Sequence, residues 1–194
     1  MPQAGQRQRN NRLQQLLDAA ASHFAANGYR ETTIRGISGS IEMLPGSVYY
    51  HFPSKHELLL AVYEEGVRRM LLRIESAPGI AAKDPWKRVE ATLVAHLDAI
   101  LDQSDYARVL ISVRPDQVPE VATELRALRD QYESQFAQTI DSLPLPRGTD
   151  KRLLRLMLIG AANWAQIWYD PQGQSPAQIG KTFVNLLRKP LDTA

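Results

Sequence analysis

The chain has 194 residues, 23 Lys and Arg against 21 Asp and Glu, 44% apolar residues and no cysteine. That is the balance of a globular protein long enough to bury a core without cross-links. It excludes a disulfide scaffold, a thiolate metal site, an iron–sulfur cluster and a cysteine nucleophile. No apolar run nears the ~20 residues a membrane helix needs. The opening MPQAGQRQRNNR has none of the apolar stretch of a secretory signal. A cytoplasmic protein with no membrane partner is expected.

The near-neutral total hides an asymmetry. In the first 55 residues Arg7, Arg9, Arg12, Arg30, Arg35 and Lys55 stand against only Asp18, Glu31 and Glu42. The remainder is close to balanced. A basic first third points to an anionic partner at one end.

In chain order, Leu13, Leu16, Leu17, Ala20 and Phe24 repeat at helical spacing over Leu13 to Ala26. Gly28 follows as a stop. Thr32 and Thr33 are N-caps for a short second helix holding Ile34 and Ile37. A turn runs through Gly39–Leu44, and Pro45 opens a third short helix ending near Tyr50. Ser54 and Glu57 have capping-box spacing for a fourth helix, Lys55 to about Ser76. Pro78, Gly79 and Pro85 break the pattern, with the domain boundary near them and inside the fourth helix. Further helices are expected at Trp86–Gln103, Tyr106–Val113, Val118–Ser142, Asp150–Tyr169 and Ser175–Lys189. Pro115, Pro119, Pro144, Pro146 and Pro171 punctuate them. No stretch alternates long enough for a strand. The expected fold is all-α, about nine helices: a helix-turn-helix domain with an N-terminal arm in residues 1–55, then a helical domain in residues 56–194.

Two short helices joined by a tight turn on a longer first helix form a unit that places its second short helix in the DNA major groove. Here that helix is Pro45-Gly46-Ser47-Val48-Tyr49-Tyr50. Gly46 and Ser47 are small enough for close approach, and Ser47 can donate or accept at a base edge. Tyr49, Tyr50 and His51 place donors near the backbone. Lys55 starts the next helix, where its charge and the helix terminus both favour phosphate. One of Tyr49 and Tyr50 is expected to pack inward, with Val48 and Phe52. Arg7, Arg9 and Arg12 form an arm that adds phosphate or minor-groove contacts or is a leader with no role.

The stretch T-T-I-R-G-I … G-S-V-Y-Y-H-F-P-S-K-H-E-L-L, Thr32 to Leu59, resembles the DNA-binding domain of TetR/AcrR-family regulators, as does D-A-A-A-S-H-F-A-A-N-G-Y, Asp18 to Tyr29. The resemblance covers residues 12–65. It implies a homodimer bound to a roughly palindromic double-stranded operator, most often as a repressor released by a small effector. It places phosphate contacts on Thr33, Tyr50, His51 and Lys55, and base reading on Arg35, Pro45, Gly46, Ser47 and Tyr49. There are two departures. Glu42 stands where the family's turn usually has Gly, and Leu44 stands where a Ser or Thr cap is usual; a lost cap costs about 1 kcal/mol. On this reading Lys55→Ala flattens the salt dependence of DNA binding by about one unit.

The helix Asp150–Tyr169 is apolar over much of its circumference, and Ile179, Phe183, Leu186 and Leu187 make one stripe on the last helix. Such helices are deep core or interface. The resemblance implies that these last two helices form the homodimer. The segment A-N-W-A-Q-I-W-Y-D-P-Q-G-Q-S-P-A-Q-I, Ala162 to Ile179, resembles the branch of that family several of whose members respond to acyl-CoA thioesters. The expected effector is therefore an acyl-CoA or another apolar metabolite. Its pocket needs an apolar wall and a few polar anchors. Candidates before residue 100 are Met70, Trp86, Leu93, His96 and Leu97. Val109, Arg114, Tyr132 and Phe136 follow, then Asn163, Trp164 and Ile167. Several have plainer readings: Trp86 closes a helix start, His96 is a satisfied core histidine, and the Asn163 amide needs a partner, such as backbone across the dimer.

No catalytic residue, cofactor or metal site is expected. His23, His51, His56 and His96 make no H-E-x-x-H and no cluster with carboxylates. There is no Gly-rich phosphate loop or nucleophile elbow. Besides an α-helical enzyme, the alternative is a DNA-binding regulator that takes no effector and is controlled by a partner protein.

Overall fold

The computed structural model describes residues 3–102 and 104–192, and among them every regular element is helical. The elements are α1 (Gln3–Glu31), α2 (Ile34–Ser40), α3 (Pro45–His51), α4 (Lys55–Glu75), α5 (Pro85–Leu101), α6 (Asp105–Ser112), α7 (Ala122–Asp141), α8 (Lys151–Trp168) and α9 (Pro176–Asp192). The all-α expectation of about nine helices holds. The helix expected from Val118 instead starts at Ala122, after single 3-10 turns at Pro115–Gln117 and Pro119–Val121. The two prolines cannot donate into a continuous α-helical ladder, so the chain advances in short turns. Helix α1 begins at Gln3, so Arg7, Arg9 and Arg12 lie on helix rather than on an extended arm. Gln and Arg are good helix formers, which apolar periodicity alone does not register.

The chain divides into two compact units. The first comprises residues up to Val67 together with Asp105–Leu128; the second runs from Arg68 to Ser104 and from Arg129 onward. The first unit is built on Leu16, Ala20 and Phe24 of α1, Ile37 of α2, Val48 of α3, and Leu58, Leu59 and Val62 of α4, all fully buried. Helix α1 also packs against α6, where the Tyr106 hydroxyl donates to Asp18 Oδ1 at 2.9 Å.

The end of α1 shows how local chemistry sets the geometry. Gly28 sits at φ 74° and breaks the helix, a conformation that costs glycine little. Buried Thr32 then donates its hydroxyl to the carbonyls of His23 and Gly28, at 3.0 and 2.7 Å. The Lys55 ammonium closes the corner. It donates to the carbonyls of Tyr29, Arg30 and Thr32 at 2.8, 3.1 and 2.9 Å and lies 4.4 Å from the Tyr29 ring centre.

In the second unit α5 packs against α8 and α9. Asp84 caps α5 by accepting from Trp86 N, and Asp150 caps α8 by accepting from Leu153 N. Gly180 is where α9 meets α5; a Cβ there would stand 2.7 Å from Val94 Cγ2. No helix among the described residues is long and apolar enough to cross a membrane.

Candidate nucleic-acid interface and effector region

The turn between α2 and α3 is a Schellman motif. Met43 N donates to Ser38 O at 2.9 Å and Glu42 N to Gly39 O at 3.4 Å, the paired bonds that close this kind of helix end. The residue between the cap and Met43 must take a left-handed backbone, and Glu42 does so at φ 51°. Buried Met43 anchors the turn. The Glu-for-Gly departure is thus a side chain placed in a conformation that favours glycine.

Helix α3 is held to its unit by Val48, its one buried residue. Leu44 precedes it and makes no side-chain capping bond. Gly46 and Ser47 are exposed and Pro45 is half-buried. The expectation that one of Tyr49 and Tyr50 packs inward is corrected: both are exposed, Tyr50 by 78%. With Val48 inward, the next two positions along a short helix turn outward. His51 and Phe52 are half-buried, and the rings of Tyr50 and His51 meet edge-on at 5.4 Å. Thr33 caps α2, its Oγ1 accepting from Gly36 N at 3.1 Å; its O–H is left to donate. Arg35 is exposed on α2, as are Arg7, Arg9 and Arg12 on α1. Arg12 reaches the carbonyl of Glu42 at 3.4 Å. Lys55 differs from the others: all three ammonium donors are engaged by backbone carbonyls.

In the second unit, His96 joins two other residues named from sequence. Its Nδ1 meets the Tyr132 hydroxyl, and its Nε2 meets Asn163 Oδ1 at 3.0 Å. Phe136 packs edge-on to the His96 ring at 5.4 Å. Burial holds His96 at about 4, far below its usual 6.5, against the opposing effect of the Asn163 bond; burial also pushes the Tyr132 hydroxyl up. The neutral imidazole that satisfies both neighbours carries its proton on Nε2, accepts from Tyr132 and donates to Asn163. His96 is therefore a satisfied core histidine, and the partner of Asn163 lies within its own chain.

The other named residues scatter. Met70, Trp86, Leu93 and Leu97 are buried in the second unit, and Val109 is buried in the first. Arg114 is exposed in the first unit and pairs with Asp116 at 2.8 Å. Trp164 and Ile167 are exposed by 64% and 70%. They lie on a stripe of α8 with Leu153, Leu156, Met157 and Trp168, all exposed, at the three-and-four spacing of one helix face. A Cβ on Gly160, within that stripe, would meet nothing within 4 Å.

A cavity of about 640 Å³ in the second unit lies elsewhere. Its walls are Arg73 of α4, the Ser76–Gly79 turn, the Lys87–Asp98 face of α5, and Ala177 of α9. Sequence reading missed it. The legible signal was the Pro78-Gly79 break with Arg73 before it and Lys87 after it. Arg73 is ion-paired with Asp102. Burial raises the Asp98 carboxyl, Arg73 lowers it, and Asp102 raises it again. Among the described residues no group of three His, Asp or Glu could hold a metal ion.

Comparison with known proteins agrees with this architecture. Residues 16–62 match the bacterial regulatory proteins of the tetR family, and residues 82–191 match the tetracyclin repressor-like C-terminal domain. The chain is 28% identical over 190 residues to the HTH-type transcriptional repressor KstR2 of Mycobacterium tuberculosis, covering 92% of each chain. It is 23% identical to the fatty acid metabolism regulator protein of Bacillus subtilis, over 79% of this chain and 81% of that one. The crystal structure of AibR in complex with isovaleryl coenzyme A and operator DNA shares the fold, with a TM-score of 0.71 and 19% identity over 88% of this chain and 95% of that one. The chain belongs to the TetR family of bacterial regulatory proteins: it is a DNA-binding transcription regulator and not an enzyme.

Proposed function

We propose that the chain is a homodimeric repressor that reads a roughly palindromic operator with residues 1–55 and is released by a small apolar or acyl-CoA-like effector held within residues 56–194. The observation that carries the DNA reading is α3, anchored by Val48 as its one buried residue and leaving Gly46, Ser47, Tyr49 and Tyr50 exposed. Arg35, Pro45, Gly46, Ser47 and Tyr49 supply base-edge contacts. Thr33, Tyr50 and His51 supply phosphate contacts, and Lys55 fixes the corner that presents them. The apolar stripe on α8 supports a second copy as its cover, because exposed apolar faces of this extent mark association surfaces.

The effector reading is supported by the cavity between α4, α5 and α9, whose volume lies in the range of small-molecule sites. Arg73 and Lys87 are on its wall, although Glu90 and Asp98 share it. AibR was crystallised with isovaleryl coenzyme A, and the Bacillus relative is a fatty acid metabolism regulator. One observation favours effector-free control by a partner: Leu93, Leu97 and Phe136 are packed without exposure.

Fluorescence anisotropy on DNA flanking the chain's own gene, beside random DNA at two salt concentrations, tests the DNA reading. Binding at least about a hundredfold tighter than random is expected, and equal binding to both would overturn it. Acyl-CoA thioesters added to that complex test the effector; release at micromolar concentration is expected for the sensor, and no release by any of them favours the partner-controlled reading.

A further inference from the structure

Two features at the start of α3 are not required by the fold. Leu44 leaves 76% of its surface in solvent and supplies no cap to the helix it precedes. Gly46 is in the first turn of α3 with a backbone outside the left-handed region, and a Cβ added to it would meet no atom within 4 Å. The fold would accept alanine at 46, which is the more stable residue in a helix. It would equally accept a polar residue at 44, which could cap the helix. Both positions therefore give up stability in the isolated protein. Separated only by Pro45, they stand at the helix end whose residues meet base edges when such a unit docks.

Thymine is the base that presents an apolar group in the major groove, its C5-methyl, and apolar side chains contact it. We propose that Leu44 reads a thymine methyl in each operator half-site, and that the bare Cα of Gly46 lets α3 approach closely enough for that contact. This rests on the DNA reading above. Hydrogen-bonding groups nearby, Ser47 and Tyr49, would read the polar edges of neighbouring bases and leave the methyl to Leu44.

The test begins with selection of an operator from a random duplex library by the full-length protein. Each thymine of a half-site is then replaced singly by deoxyuridine, which removes the methyl and keeps every hydrogen-bonding atom. At one position the change weakens binding by about fourfold, the worth of one buried methyl-sized group. In Leu44→Ala, whose thermal midpoint should match the parent's because the side chain is exposed, the penalty at that position disappears. Gly46→Ala weakens operator binding while its thermal midpoint rises. The proposal is overturned if no deoxyuridine substitution affects the parent, or if the penalty is unchanged in Leu44→Ala, which would assign the methyl contact to Tyr49 or another side chain. If selection enriches no sequence, the DNA reading itself falls, and this proposal with it.

Discussion

Glu42 occupies a left-handed backbone conformation at φ 51° that glycine would take without steric cost. That conformation costs an L-residue about 1–2 kcal/mol, and a new glycine gives part of this back by loosening the unfolded chain. Glu42→Gly is therefore expected to raise the urea midpoint slightly and not to weaken operator binding, since it also removes a negative charge beside the proposed DNA face. A lower midpoint would mean that the Glu42 side chain holds the turn. Lys55 is a sharper case. A phosphate contact predicts a salt slope flatter by about one unit on its removal. The three carbonyl bonds predict something else: Lys55→Met loses about 1–3 kcal/mol of stability with the slope unchanged. Denaturation and a salt titration on the same variant separate the two roles.

Where α9 crosses α5, Gly180 leaves no room for a side chain: a Cβ would stand 2.7 Å from Val94 Cγ2. Gly180→Ala is expected to cost about 1–3 kcal/mol through overpacking, read as a lower thermal midpoint, while Gly160→Ala, in open space, should cost little unless a second copy lies there. At this scale much was legible. Helical spacing from Leu13 to Phe24 and the capping pair Ser54–Glu57 located elements to within a few residues, because caps and periodicity are local. The lost helix start at Val118 and the outward turn of both tyrosines were not, because each depends on which neighbour is buried. The exposed residues of α3, Gly46, Ser47, Tyr49 and Tyr50, lie on one short segment and could be named from it. The cavity draws on the end of α4, the Ala77–Gly79 turn, α5 and the start of α9, segments that only tertiary packing brings together.

Across the whole molecule, His96 links folding to pH. Its value is about 4 in the folded protein against 6.5 when unperturbed, so below pH 6.5 the unfolded chain binds a proton that the folded chain refuses. The associated stability is full above pH 6.5 and is lost as pH falls toward 4, amounting to about 2 kcal/mol at pH 5. Urea midpoints from pH 7.5 to 4.5 should show this decline, and His96→Gln should flatten it. Assembly is tested by sedimentation: Trp164→Glu combined with Ile167→Asp should convert a dimer to a folded monomer and weaken operator binding steeply.

The same α8 stripe gives the protein an optical label of its own. Of its three tryptophans, Trp86 is sealed in the second unit while Trp164 and Trp168 stand on the exposed face. Dissociation of paired copies would hydrate two indoles and leave the third dry. Emission should shift to the red on dilution, tracing an association curve without any attached dye, and iodide should quench about two-thirds of the monomer's signal but little of the dimer's.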